Sequence, residues 1–166
     1  MVLLKGEEIV PDQWSRVDGL DDPLEIDHPI ITLGSWRKHE EQLTHLNTPL
    51  GIVLESEESP ILISNVLSRF SLVALNFPKL SDGRGFSYAR LLRERFNFVG
   101  EVRAVGEIRR DQYLFLMRCG FDAFEIDDSG DLSGWHEAAR EVSVFYQPSS
   151  DRAPWVARRR HHKNSY

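Results

Sequence analysis

Two short apolar runs decide the fold of this chain, Gly51-Ile52-Val53-Leu54 and Leu72-Val73-Ala74-Leu75. Neither run alternates apolar and polar residues, as a strand with one solvent-facing side would. Continuous apolar runs of this length are typical of strands in a parallel sheet with both faces covered, or of strands that line a filled barrel. The two runs therefore predict a mainly parallel sheet with helices packed against it.

Similar β-rich segments recur on both sides of these runs and alternate with helical patterns. Strands are predicted at 30–33, 51–54, 72–76, 102–105, 122–126 and 142–146, and helices at 36–46, 61–70, 86–96, 108–119 and 132–140. Strands that alternate with helices pair in parallel through right-handed βα units. The predicted fold class is α/β, with repeated short βα units in a mainly parallel sheet that is either open or a partial TIM-like barrel.

The chain of 166 residues is long enough for one domain and too short for two ordinary ones. Residues 1–28 place short apolar runs between turn formers, which predicts a short β-rich lead-in to a single α/β domain at 1–147. The alternation is lost beyond this point. Residues 148–166 predict a basic, disordered tail, which includes the run Arg158-Arg159-Arg160.

Composition excludes several classes of function. Cys119 is the only cysteine, so the chain holds no internal disulfide and no iron–sulfur cluster on its own thiolates, because such a cluster needs about four. The six histidines show no metal-binding spacing, and position 88 is Tyr88 rather than the third glycine of a dinucleotide-binding motif. No cofactor and no metal are predicted. Cys119 itself is expected to be buried packing at a helix end.

Charge and hydropathy bear on the compartment and the partners. No apolar run approaches the ~18 residues that a membrane helix needs, and the first residues lack a signal-peptide pattern, so the chain is expected to be cytoplasmic and away from membranes. The net charge is −6, and residues 1–150 carry 25 of the 26 acidic side chains. An acidic body disfavours nucleic-acid binding. The basic tail, if it is more than a solvated terminus, fits an acidic protein partner.

The longest interval between predicted strands holds the densest polar cluster, Pro78-Lys79-Leu80-Ser81-Asp82-Gly83-Arg84-Gly85. Two glycines and an arginine immediately before a helix are the parts of an anion site, to which further cations can contribute. The predicted anion-binding residues are Lys79, Arg84, Gly85 and Arg103, and the candidate catalytic carboxylates are Asp82 and Glu107. An ordinary loop-stabilising Asp–Arg pair explains the same motif. Asp122 is expected at the opposite edge, in an architectural role.

Several motifs of the second half carry a family resemblance: Ser81-Asp82-Gly83-Arg84-Gly85-Phe86-Ser87, Arg103-Ala104-Val105-Gly106, Arg110-Asp111-Gln112 and Arg118-Cys119-Gly120-Phe121-Asp122. In these motifs the chain resembles a bacterial family known as domain of unknown function nine-three-four. That family is labelled a probable oxidoreductase of sulfite reduction, because its genes tend to lie beside those of assimilatory sulfite and sulfate reduction. Glu107 departs from the aspartate expected there in the family.

The resemblance and the residues together leave three functional hypotheses. The first is an accessory protein of assimilatory sulfur reduction that binds a partner, such as sulfite reductase or another sulfur-assimilation enzyme, or a small oxyanion. The second is a small enzyme that acts on an anionic substrate at the carboxyl-end edge of the sheet. The third is a scaffold whose incomplete barrel is closed by homodimerisation over a sheet edge.

Overall fold

The computed structural model describes residues 1–6, 8–17, 26–127, 134–135 and 137. Their strands are β1 (Val2–Lys5), β2 (Glu8–Val10), β3 (Ser15–Arg16), β4 (Pro29–Thr32), β5 (Gly51–Leu54), β6 (Leu72–Phe77), β7 (Glu101–Gly106) and β8 (Ala123–Ile126). The α-helices are α1 (Leu33–Thr44), α2 (Arg84–Arg90) and α3 (Tyr113–Cys119). A π-helical turn, Leu91–Arg95, continues α2, and 3-10 turns lie at Pro60–Ile63, Leu67–Arg69 and Arg110–Gln112.

All eight strands form one sheet in the order β2-β1-β8-β7-β6-β5-β4-β3. The pairs from β3 through β8 are parallel, whereas β1 is antiparallel to both β8 and β2. The predicted mainly parallel sheet and the α/β class are therefore confirmed. The carboxyl ends of β4 to β8 share one edge of the sheet, called here the carboxyl-end rim.

The sheet is curled, and its connectivity shows why. β2 and β3 form its two opposite edges, yet only residues 11–14 join them, a span of at most about 18 Å from Val10 to Ser15. Eight strands in a flat sheet would place these edges about 34 Å apart. The sheet must therefore roll up, and residues 11–14, called here the crossing segment, pass between its edges on the concave side.

The convex face carries the larger core. Its buried residues include Ile52, Val73, Leu75 and Phe124, against which the helices and 3-10 turns pack. Cys119 is buried within this core, as predicted. The left-handed Gly120 ends α3 with φ 104°, as expected for a residue just beyond a helix.

The concave face carries a smaller core. Ile30, Val53, Leu72, Ala74 and Val105 are buried there, with Trp14 of the crossing segment packed against them. The continuous apolar runs are thus explained, because alternate residues of β5 and β6 face two different cores.

The helical predictions are only partly confirmed. Residues 36–46, 86–96 and 108–119 lie largely in α1, in α2 with its π-helical turn, and in α3 with the turn before it. The predicted helix at 61–70 is wrong, since this connection contains only two 3-10 turns. A regular βα repeat is therefore not confirmed. The strand predicted at 142–146 and the tail lie outside the described residues, and the helix at 132–140 lies largely outside them. Within the described ranges, no helix is long and apolar enough to cross a membrane.

Candidate functional site

The carboxyl-end rim gathers polar residues from three neighbouring strands. Ser56 and Glu57 follow β5, the loop with Asp82 and Arg84 follows β6, and Glu107 follows β7. Because β5, β6 and β7 are adjacent and parallel, the predicted Asp82–Arg84 stretch and Glu107 do lie at the same edge of the sheet. The rim holds two separate groups of side chains.

Arg84 is the centre of the first group, called here the Arg84 cluster. Its Nε donates to Asp82 Oδ1 at 2.9 Å, and its Nη2 lies 2.6 Å from Asp82 Oδ2. The same Nη2 donates to Ser56 Oγ at 2.9 Å and lies 3.2 Å from a carboxylate oxygen of Glu57. The Tyr88 hydroxyl donates to the Ser56 carbonyl at 3.2 Å. One guanidinium therefore joins the loops after β5 and β6.

The protonation equilibria of the Arg84 cluster follow from these contacts. Hydrogen bonding from Arg84 holds the pKa of the Asp82 carboxyl far below its ordinary 3.8. The pKa of Glu57 is also lowered, first by its own backbone N–H, then by the Ser56 hydroxyl and Arg84. Two ionised carboxylates around one guanidinium give the Arg84 cluster a net charge of −1. An oxyanion must displace one of these carboxylates to pair with Arg84 through its Nε and Nη2.

Gly85 and Lys79, two further predicted anion-binding residues, have structural roles different from that of Arg84. A Cβ on Gly85 would lie 2.4 Å from the Phe77 ring, so this glycine lets the first turn of α2 approach β6. Lys79 is exposed, and its carbonyl accepts a hydrogen bond from Asp82 N at 2.9 Å. In the described contacts, neither residue adds a second positive charge beside the Arg84 guanidinium.

Arg103 is not at the rim. It lies in the middle of β7 on the concave face and is completely buried. Its Nη1 and Nη2 donate to the two Asp12 carboxylate oxygens at 2.7 and 3.0 Å. Its Nε donates to Glu101 at 2.8 Å, and its Nη1 also lies 3.3 Å from Glu125 Oε1. The arginine predicted to contribute to an anion site is thus enclosed by three carboxylates.

Two further cations complete this buried network. Lys5 pairs with Glu101 at 2.6 Å, and Arg16 pairs with Glu125 at 3.1 Å, so three positive and three negative side chains balance. Burial alone would raise the pKa of the Asp12 carboxyl, but the hydrogen bond from Arg103, assisted by the Trp14 backbone N–H, holds it below 3.8. The network ties the crossing segment to β7 and β8.

The second group at the rim lines a cleft of about 620 Å³, called here the rim cleft, at the carboxyl ends of β6, β7 and β8. Its polar side chains include Glu107, Arg109 and Asp127, and its apolar ones include Leu80 and Ile108. Glu107, Arg109 and Asp127 are all exposed, and no ion pair in the described part of the chain engages them. Among the described residues, the lining thus offers two carboxylates and one guanidinium outside any ion pair.

Gly106 shapes this cleft. Its φ of 92° lies in the left-handed region, and a Cβ there would approach both the Phe77 carbonyl oxygen and Asn76 Oδ1 to 2.5 Å. The turn lets Glu107 N donate to the Phe77 carbonyl at 2.7 Å, which fixes the start of the loop after β7. Glycine is therefore required where β7 delivers Glu107 into the cleft.

The predicted position of Asp122, at the edge opposite the rim, is confirmed. This carboxylate lies just before β8 at the amino ends of the strands, where its Oδ2 accepts a hydrogen bond from Val102 N at 2.8 Å. It also pairs with Arg93 of the π-helical turn that continues α2. Among the described residues, no group of three His, Cys, Asp or Glu side chains is placed to hold a metal ion.

Sequence reasoning missed Asp12 and the crossing segment. Asp12 is 91 residues from its partner Arg103, and no short motif signals a contact at that separation. A family model described as a bacterial protein of unknown function, DUF934, matches residues 51–156. The chain belongs to this family. The resemblance noted from the Ser81 and Arg118 motifs is thereby confirmed, and both groups at the rim of this DUF934 protein lie within or beside the matched range. No curated protein matches the chain.

Proposed function

We propose that this DUF934 protein is a cytoplasmic accessory protein of assimilatory sulfite reduction that binds a partner enzyme through its rim cleft. The pathway comes from the family resemblance. The observation that carries the mode of action is the lining of the rim cleft, where Glu107 and Asp127 make no ion pair with another described residue and lie beside apolar side chains. Ligands of parallel sheets commonly bind outside the carboxyl ends of the strands.

The chemistry of the rim cleft favours a protein segment over a small oxyanion. Glu107 and Asp127 both repel sulfite or sulfate, against the single attraction of the Arg109 guanidinium, and the nearby Arg84 already pairs with Asp82 and Glu57. A lysine or arginine side chain flanked by apolar residues is complementary to such a surface. The expected occupant is therefore a basic, partly apolar segment on the surface of the partner enzyme, for which sulfite reductase is the first candidate.

The test is a titration of purified sulfite reductase against the full chain, with binding measured by biolayer interferometry. The double variant Glu107→Lys/Asp127→Lys reverses both free carboxylates, and we expect it to weaken binding at least about tenfold. The matched control is Glu40→Lys/Glu41→Lys, which makes the same charge change on the exposed face of α1. Equal weakening by the two double variants, or no complex with the wild-type chain, would refute the proposal.

The alternative function is a rim enzyme that acts on an anionic substrate. Glu107 favours it, because an unpaired carboxylate beside a cleft is able to transfer a proton, whereas Asp82 is committed to Arg84. Turnover that is lost in Glu107→Gln but retained in Asp127→Asn, with the fold intact, would support the enzyme over the binding protein.

A further inference from the structure

A second cleft lies at the opposite end of the strands and has the opposite electrostatic character. It has a volume of about 760 Å³ and is lined where β6 and β7 begin, by Ser71 and Gly100, and by the loop that follows the π-helical turn. It is called here the amino-end cleft. Its size falls within the range of small-molecule sites.

Arg95 is the charged side chain of the amino-end cleft, and no Asp or Glu is among the described residues that line it. No ion pair in the described chain engages its guanidinium, which lies 5.8 Å from the centroid of the Phe96 ring. Arg84, Arg93 and Arg103, in contrast, each pair with at least one carboxylate. An arginine that makes no ion pair, in a cleft whose described lining contains no carboxylate, attracts an anion.

Neutral hydrogen-bond donors surround Arg95. The side chains of Asn65, Ser68, Ser71 and Asn97 line the same cleft and are exposed, and none makes a hydrogen bond within the described structure. Hydroxyl and amide groups beside an arginine match the several acceptor oxygens of a tetrahedral oxyanion. The Phe96 ring adds an apolar surface for the organic part of a ligand.

The wall that carries Arg95 is held rigidly. Arg93, two residues earlier, donates to the carbonyls of Phe98 and Gly100 at 2.6 and 2.8 Å and to that of Gly120 at 2.9 Å. Asn97 has a φ of 51°, the left-handed conformation with which asparagine, like glycine, commonly ends a helix, and Phe98 N donates to the Leu92 carbonyl at 2.9 Å across this turn. π-Helical turns recur at functional sites. The loop is thus preorganised, and Arg95 is left available at its surface.

We propose that the amino-end cleft binds a phosphate or sulfate monoester. Arg95 pairs with the oxyanion, the Ser68, Ser71, Asn65 and Asn97 side chains donate to its remaining oxygens, and the organic group lies against Phe96. This site lies at the other end of the strands from the rim cleft, so each proposal stands or fails without the other.

Phenyl phosphate and phenyl sulfate are the probes, measured by isothermal titration calorimetry on the full chain. We expect at least one ester to bind, and Arg95→Gln to weaken it roughly tenfold to hundredfold, as loss of a charge-assisted contact does. Arg37→Gln is the matched control, because Arg37 is an exposed arginine of α1 outside the cleft, and it should leave binding unchanged. A difference between the two esters identifies which oxyanion the cleft prefers.

Three results would overturn the proposal. The first is no binding of either ester at concentrations of about 10 mM, well above millimolar dissociation constants. The second is equal weakening by Arg95→Gln and Arg37→Gln. The third is binding of uncharged phenol as strong as that of the esters. Ser71→Ala serves as a second variant, and a loss of a few-fold in ester affinity is expected from its missing hydroxyl.

Discussion

Replacing Arg103 by methionine tests whether the buried charge network holds the curled sheet together. Arg103 is completely buried and makes a bidentate pair with Asp12 together with contacts to Glu101 and Glu125. Methionine retains much of the aliphatic length of arginine, so the variant removes the charge while leaving a small void. The change therefore isolates the ionic contribution of the guanidinium.

The expected loss in the free energy of unfolding depends on which ion-pair partners each carboxylate keeps in Arg103→Met. Glu101 and Glu125 keep Lys5 and Arg16 as partners, whereas Asp12 loses its only ion pair among the described residues. A charge left uncompensated in the interior costs about 3–5 kcal/mol, but the Asp12 side chain is 33% exposed and stays partly hydrated, so the expected loss is about 2–4 kcal/mol. In Asp12→Asn the arginine keeps two carboxylates, so the expected loss is smaller, about 1–3 kcal/mol.

Urea unfolding followed by circular dichroism measures these differences as changes in the free energy of unfolding. The control is Arg90→Met, which breaks the exposed pair of Arg90 with Glu94 and should cost no more than about 0.5 kcal/mol. If Arg103→Met is too unstable to purify, Asp12→Asn still reports on the network. The reasoning is refuted if Asp12→Asn and Arg103→Met both unfold within about 0.5 kcal/mol of the wild type.

Two further predictions concern acid and a backbone position. The pKa values of Asp12 and Asp82 lie below 3.8 in the folded chain, so the unfolded chain binds more protons in acid. The free energy of unfolding should therefore be level above about pH 5 and fall as the pH drops through 4 and below. Melting temperatures measured from pH 6 to 3 would show this fall. Gly106→Ala should cost about 2 kcal/mol or more in urea unfolding, since φ is 92° and the new Cβ meets backbone oxygen at 2.5 Å. Gly83→Ala, with open space around its Cβ, is the matched control.

The parallel sheet could be predicted because its signal is local. The runs at 51–54 and 72–75 are apolar without alternation, and the structure gives both faces of these strands a core. The end of α3 has a local signal too, because a glycine at 120 follows an apolar helix. This glycine adopts a φ of 104° in the structure. Each of these features depends on residues within about ten positions of one another.

The helix predicted at 61–70 shows where a local signal is ambiguous. Ile63, Leu67 and Phe70 have a helical spacing, and all three are buried. Two successive 3-10 turns bring the same side chains to the core, while Ile61 and Leu62 remain more than 45% exposed. Spacing alone does not distinguish these backbones, because both place residues three or four apart on one side.

The contacts of Arg103 could not be predicted, because they depend on the curl of the sheet. The sequence predicts that Arg103 adds its charge to the anion site of the Asp82–Arg84 loop. Arg103 lies two residues before Val105 in β7, so both side chains are on the concave face, where Val105 belongs to the smaller core. Only the closure of the sheet brings Asp12 to it from 91 residues away.

The charged residues of the motifs that carry the family resemblance are largely committed to the fold. Asp82 and Arg84 join two loops, Arg103 anchors the crossing segment, and Asp122, paired with Arg93, fixes the amino ends of the strands. Side chains whose charges are already paired gain little by binding a ligand, because each new contact replaces an existing one. Function is therefore expected where the described structure leaves charges unpaired, at Glu107, Arg109 and Asp127 in the rim cleft and at Arg95 in the amino-end cleft.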